Sequence, residues 1–256
     1  MNGSTMVERD VELRALHAAA NEAAASNCRL VLITGEAGIG KTTLWSTFVD
    51  DLPGHWTIEF VGGHHTDRSF AAPFQHLAGA LPGEGEAARE LAGAVAEACT
   101  HRAVDGPVLL VVEDLHYIDP VAVAALPHLL NALRRAPVLV LATYRAGSHE
   151  AGTAHSGAVA DLLRHARASQ LPLRPLTEDG VRSLLRLAAH TPPPGAPTQG
   201  SNVTVETRAA GLFARTDGNP FFVDALIRSG DPDDAQIPWT VAEAVLSLVD
   251  SLPADA

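Results

Sequence analysis

The chain has 256 residues, of which 46% are apolar and only 5% aromatic, and its net charge is −12. That length allows one large domain or a core with a smaller companion, packed with aliphatic and alanine side chains. The acidic balance and the lack of any basic block exclude a chain that grips DNA or RNA by its own surface, because phosphate-backbone binding needs clustered Arg and Lys.

Taken in chain order, a helical pattern at 11–25 precedes the apolar run Leu30-Val31-Leu32-Ile33, read as a strand at 30–34. Next comes Gly35-Glu36-Ala37-Gly38-Ile39-Gly40-Lys41-Thr42, which fits GxxxxGK[ST] in full and leads into a helix at 41–52. Strand, glycine-rich loop and helix form the context in which this pattern is a phosphate cradle. Gly35, Gly38 and Gly40 let backbone N–H groups turn inward, and the positive end of the helix faces the same anion. Lys41 is the only lysine, beside 17 arginines. A compact ammonium fits between outer phosphates where a planar guanidinium fork does not. The Thr42 hydroxyl is the expected Mg²⁺ ligand, and the nucleotide contacts are expected from Gly35, Glu36, Ala37, Gly38, Ile39, Gly40, Lys41, Thr42 and Thr43.

A strand at 57–61 is followed by His64 and His65, read as loop residues because adjacent histidines point apart and make no metal site. A helix at 86–101 leads to the apolar run 108–112, which ends in Glu113-Asp114. One carboxylate of such a pair orients Mg²⁺ through its water shell, and the other polarises the attacking water. Position along the strand gives Glu113 the metal role and Asp114 the base role. Many P-loop ATPases have Asp first and Glu second, so this order is inverted. A short Asp as base points to slow hydrolysis.

Pro127 is expected to kink or shorten the helix at 120–135. The strand at 138–144 carries Thr143 and Arg145 to the same sheet edge, where Arg145 is expected to read the γ-phosphate. A flexible segment at 146–156, a helix at 157–168 and a weaker strand at 169–173 follow. This alternation predicts an α/β fold, a five-stranded parallel sheet covered on both faces. Strands then stop. Thr177-Glu178-Asp179 reads as an N-cap opening a helix to about 189. A Pro-rich mobile loop at 191–202 and helices at 203–215, 220–229 and 240–252 complete the chain. The expected domains are a P-loop core at 1–174 and a helical lid at 175–256.

Cys28 and Cys99 fit no metal spacing and read as reduced, half-buried hydrophobes. No signal peptide precedes residue 10 and no apolar run reaches membrane-spanning length, so the expectation is a cytoplasmic chain without a membrane partner.

Several motifs together resemble one family. Val7-Glu8-Arg9-Asp10-Val11-Glu12-Leu13 is similar to the N-terminal box of signal-transduction ATPases with numerous domains (STAND). Val111 to Asp119 resembles their acidic strand ending, Leu141-Ala142-Thr143-Tyr144-Arg145 their sensor strand, and Thr216-Asp217-Gly218-Asn219-Pro220-Phe221-Phe222-Val223 their Gly-Asn-Pro-Phe-Phe box. Order and spacing most resemble the ATPase module of large LuxR-type bacterial transcription regulators. Glu8 and Asp217 stand where those boxes usually have Gly, and Tyr117 where Trp is usual.

The resemblance implies that Arg9 lies beside the adenine and that Gly218, Asn219 and Pro220 open a lid helix against base or ribose. It implies ATP/ADP and Mg²⁺ as cofactors and other domains or copies of a larger regulator as partners. The chain then reads as an excised module or a short stand-alone relative. The leading expectation is a weakly hydrolysing ATP switch whose lid closure follows nucleotide state. A nucleotide-holding interaction module without turnover is the alternative, and a small-molecule kinase ranks lower because the Pro-rich 191–200 stretch does not resemble an Arg-bearing lid.

Overall fold

In the computed structural model the described residues are 6–62, 74, 87–145, 153–190 and 204–229. His64, His65, the 191–202 loop and the helix expected at 240–252 lie outside them. The described chain contains strands β1 (Arg29–Gly35), β2 (Thr57–Gly62), β3 (Val108–Glu113), β4 (Val138–Arg145) and β5 (Ala168–Pro172). Its helices are α1 (Asp10–Ala24), α2 (Lys41–Asp50), α3 (Ala87–Arg102), α4 (Pro120–Ala132), α5 (Thr153–Leu163), α6 (Glu178–His190), α7 (Val205–Thr216) and α8 (Pro220–Ser229). They group into two compact units, one of Asp10–Ala37 with Lys41–Leu173, the other of Met1–Arg9, Gly38–Gly40 and Arg174–Ala256.

The five strands of the larger unit form one parallel sheet in the order β2-β3-β4-β1-β5. The sequence explains which strands are central. Val108 to Val112 of β3 and Val138 to Ala142 of β4 are continuous apolar runs, and all are fully buried, as strands covered on both faces require. β2 alternates instead, with Ile58 and Phe60 exposed, as befits an edge strand. Because every strand runs the same way, Gly35, Glu113 and Arg145 all emerge at one edge, with Gly35 opposite Arg145 and Gly62 opposite Glu113 in register. That edge is where parallel α/β sheets bind ligands.

Helices cover the sheet through stripes at helical spacing. Leu16, Ala20 and Ala23 are the buried face of α1, and Leu44 and Phe48 that of α2. Asp119 caps α4, its carboxylate accepting the Val121 N–H at 2.7 Å, and Pro120 occupies the first turn, where a missing N–H costs nothing. α4 runs through Pro127 and is shorter than the expected 120–135. Buried Leu126, Leu129 and Leu130 hold the turns on both sides of it against the core, and that burial outweighs the lost hydrogen bond. The helix ends at Ala132, three residues early. α5 begins at Thr153, inside the segment expected to be flexible, because buried Val159 and Leu162 anchor it over poor helix formers such as Ser156 and Gly157. It stops at Leu163, where the chain turns so that Ala168 can pair with Leu30.

The smaller unit has its own core, formed by Leu176, Val181 and Leu185 beside Leu212, Val223 and Leu226. The turn between α7 and α8 uses left-handed backbone at two consecutive residues. Asp217 closes α7 at φ +48° and Gly218 follows at φ +73°. A Cβ on Gly218 would lie 2.1 Å from the Leu176 carbonyl oxygen, so that position admits only glycine. Asp tolerates the left-handed region better than most residues, which explains how it replaces the usual glycine. Asp217→Ala is therefore expected to lower unfolding free energy by about 1 kcal/mol, whereas Asp217→Gly leaves it unchanged or higher. Urea unfolding of the two variants measures the difference.

Candidate functional site

In the larger unit, β1 ends at Gly35 and the helix α2 starts at Lys41. The Lys41 ammonium folds back to donate to the carbonyls of Gly35 at 3.0 Å and Glu36 at 2.8 Å. Burial lowers the Lys41 pKa from its ordinary 10.5. Asp114 counters that shift, Arg145 adds to it, and Glu113 counters it. Asp114, Arg145 and Glu113 therefore all lie within electrostatic reach of Lys41.

Next along α2, the Thr42 hydroxyl donates to Glu113 Oε1 at 2.7 Å. The same oxygen accepts the Trp45 indole N–H at 3.0 Å. Sequence reasoning did not find Trp45. The available signal was its place three residues after Thr42, on the same helix face.

After Glu113 the chain bends sharply. Asp114 has φ +53°, a left-handed conformation that costs energy for a residue with a side chain. Thr143 holds the bend in place. Its hydroxyl accepts the Asp114 N–H at 2.8 Å and its carbonyl accepts the Leu115 N–H at 2.9 Å. Fully buried Thr143 thus fixes the acid pair. The Asp114 carboxylate lies 3.8 Å from Nδ1 of buried His116, whose ring packs against Tyr117 with centroids 4.0 Å apart.

The residues expected at a base-binding site fall in the smaller unit. Arg9 is buried, and its guanidinium donates to the carbonyls of Arg174 at 2.7 Å, Glu8 at 3.2 Å and Ile39 at 3.4 Å. Glu8 adopts φ +56°, which accounts for the glycine usual there. Its carboxylate accepts both the hydroxyl and the N–H of Thr177, the residue before α6. Asn219 caps α8, its side-chain oxygen accepting the Phe221 N–H at 3.1 Å. That N–H also points to the Gly38 carbonyl at 3.2 Å. A Cβ on Gly38, at φ +73°, would lie 2.6 Å from the Phe221 Cβ, so glycine is required. Arg9, Gly38, Ile39, Gly218, Asn219 and Pro220 thus share one unit. Lys41, Thr42, Thr43, Glu113, Asp114 and Arg145 share the other, together with Gly35, Glu36 and Ala37.

The residues present fit a Mg²⁺-nucleotide. Thr42 and Glu113 offer hard oxygen donors, the kind Mg²⁺ takes. Gly40, at φ +95°, bares its backbone, and a Cβ there would meet open space. Among the described residues no cluster of His, Cys, Asp and Glu forms a protein-only metal site, and Mg²⁺ bound with phosphates needs none.

Fold and motif together define a P-loop ATPase module of the α/β class. The chain belongs to the AAA ATPase domain family, which matches residues 5–141. Among solved structures it is similar to Cdc6p from Pyrobaculum aerophilum, with TM-score 0.57 and 18% identity over 89% of this chain and 64% of that one. It is also similar to a STAND protein with a tetratricopeptide repeat sensor from Pyrococcus horikoshii, with TM-score 0.55 and 18% identity over 97% of this chain and 33% of that one. A Walker-type ATPase of Pyrococcus abyssi aligns at TM-score 0.56 and 13% identity, covering 97% of this chain and 75% of that one. The chain thus spans less than two thirds of the first two. No match is found among curated proteins. No helix among the described residues is long and apolar enough to cross a membrane.

The lowered Lys41 pKa gives a direct test. Between the folded value and 10.5 the unfolded chain holds the extra proton, so this group alone makes stability rise with pH across that window. An amine-directed reagent should modify Lys41 with a pH midpoint below 10.5, read by mass spectrometry of its peptide. Arg145→Ala should move that midpoint up, and Asp114→Asn should move it down.

Proposed function

We propose that the chain is an ATP-binding, slowly hydrolysing switch module. The observation that carries this reading is the 2.7 Å hydrogen bond from Thr42 to Glu113 beside Lys41. It gives a phosphate-loop hydroxyl and an acidic strand end the arrangement that a Mg²⁺-nucleotide needs. The Gly35–Thr43 segment cradles the phosphates, and Lys41 leaves the loop carbonyls to neutralise the outer ones. Thr42 ligates Mg²⁺, and Glu113 holds it through water. Asp114 orients the attacking water, and Arg145 answers the γ-phosphate. Mg²⁺ supplies charge neutralisation along the phosphate chain when bound.

In this reading residues 1–174 are the nucleotide core and 175–256 the lid. Arg9, Gly218, Asn219 and Pro220 face the base or ribose, and nucleotide state sets lid closure. The motif boxes from residue 7 to residue 223 support a place within a cytoplasmic LuxR-type bacterial transcription regulator. There it would act on other domains or copies of that regulator, while its acidic surface leaves nucleic acid to them. Holding nucleotide without turnover is the second reading. It is favoured by the short side chain of Asp114, which reaches less far toward a water than Glu would at that position.

Nucleotide titration and single-turnover hydrolysis test both. Lys41→Ala should weaken ATP binding by about tenfold or more with the fold retained. Glu113→Gln should weaken only the Mg²⁺-dependent part. Asp114→Asn should preserve binding and slow hydrolysis by about 100-fold. Exchange of the Glu113 and Asp114 effects would swap their roles, and wild-type binding without any hydrolysis would favour the second reading.

A further inference from the structure

Trp45 is a side chain at the acid pair that the proposed roles do not use. Its indole N–H donates to Glu113 Oε1 at 3.0 Å, the same oxygen that takes the Thr42 hydroxyl. Two features fix the indole there. Thr42 and Trp45 are three residues apart on α2 and share a face. On the sheet, Phe60 pairs with Val111 and Gly62 with Glu113, so all four lie on one face of β2 and β3. The Trp45 ring rests on Phe60, with centroids 5.8 Å apart and planes 35° apart. Gly62 adds no side chain beside Glu113, which leaves the indole room to reach the carboxylate.

We propose that Trp45 is a positioning residue for Glu113, fixing the carboxylate so that its Oε2 is the oxygen offered to Mg²⁺-bound water. An N–H bond to a carboxylate is charge-assisted and directional. With Oε1 taken by Thr42 and Trp45, rotation of the carboxylate would break two hydrogen bonds. The indole donates only, so it cannot compete with Glu113 for the metal. The inference rests on the proposed metal role of Glu113 and adds the group that orients it.

The test uses the full chain with N-methylanthraniloyl-ATP as probe, its anisotropy followed while Mg²⁺ is titrated. Trp45→Phe keeps a ring on Phe60 but removes the N–H. It is expected to raise the Mg²⁺ midpoint about tenfold and to leave binding in EDTA unchanged. Equal midpoints in variant and wild type would overturn the inference. A wild type whose binding ignores Mg²⁺ would instead overturn the metal role of Glu113 itself.

A second readout needs no Trp45 variant to fold. Adding Mg²⁺ to the ATP complex should shift tryptophan emission in the wild type and not in Glu113→Gln. The same shift in both would show that the indole does not sense the carboxylate and would overturn the inference.

Discussion

The hydrogen bond from Thr42 to Glu113 ties together two strands that are not neighbours. β4 lies between β1, which delivers the phosphate loop, and β3, which delivers the acid pair. The first turn of α2 must therefore reach past one strand end to meet Glu113. It can do so because all five strands end on one edge, and because the register sets Gly35 opposite Arg145 and Gly62 opposite Glu113. The parallel sheet is thus a placement device. Its buried aliphatic strands fix the ends, and the ends carry the chemistry.

Desolvation governs what the site can do. Lys41 sits where burial disfavours its charge, and it offsets that penalty by donating to two loop carbonyls. Glu113 and Asp114 supply the opposing charge. A phosphate chain would offer Lys41 a stronger partner than either carbonyl, since an anionic oxygen adds an opposite charge that a neutral carbonyl lacks. In the proposed reading, ligand binding is linked to a change of partner at this side chain.

The sheet was legible because strand order along the chain and apolar continuity follow directly from burial on two faces. The candidate phosphate loop and acid pair stood out in the sequence because their residue types are rare in combination. Contacts made by backbone were not. Nothing in the Thr143 side chain announces that it accepts the Asp114 N–H, and Arg9 gives no sequence sign that it serves carbonyl groups. Glu8, Asp114 and Asp217 were readable as residue types but not as left-handed backbone. At Glu8 and Asp217 that conformation explains why glycine is usual there. The start of α5 was misjudged for the opposite reason, since local propensity was outweighed by buried side chains within the helix.

The proposed nucleotide site depends on the Gly35–Thr43 backbone presenting N–H groups to phosphates, and the most direct measurement is the amide NMR spectrum of the chain during titration with ATP and Mg²⁺. The amides of residues 36–42 are expected to shift together and saturate near one equivalent of nucleotide. Unchanged resonances for these residues at millimolar ATP would contradict it.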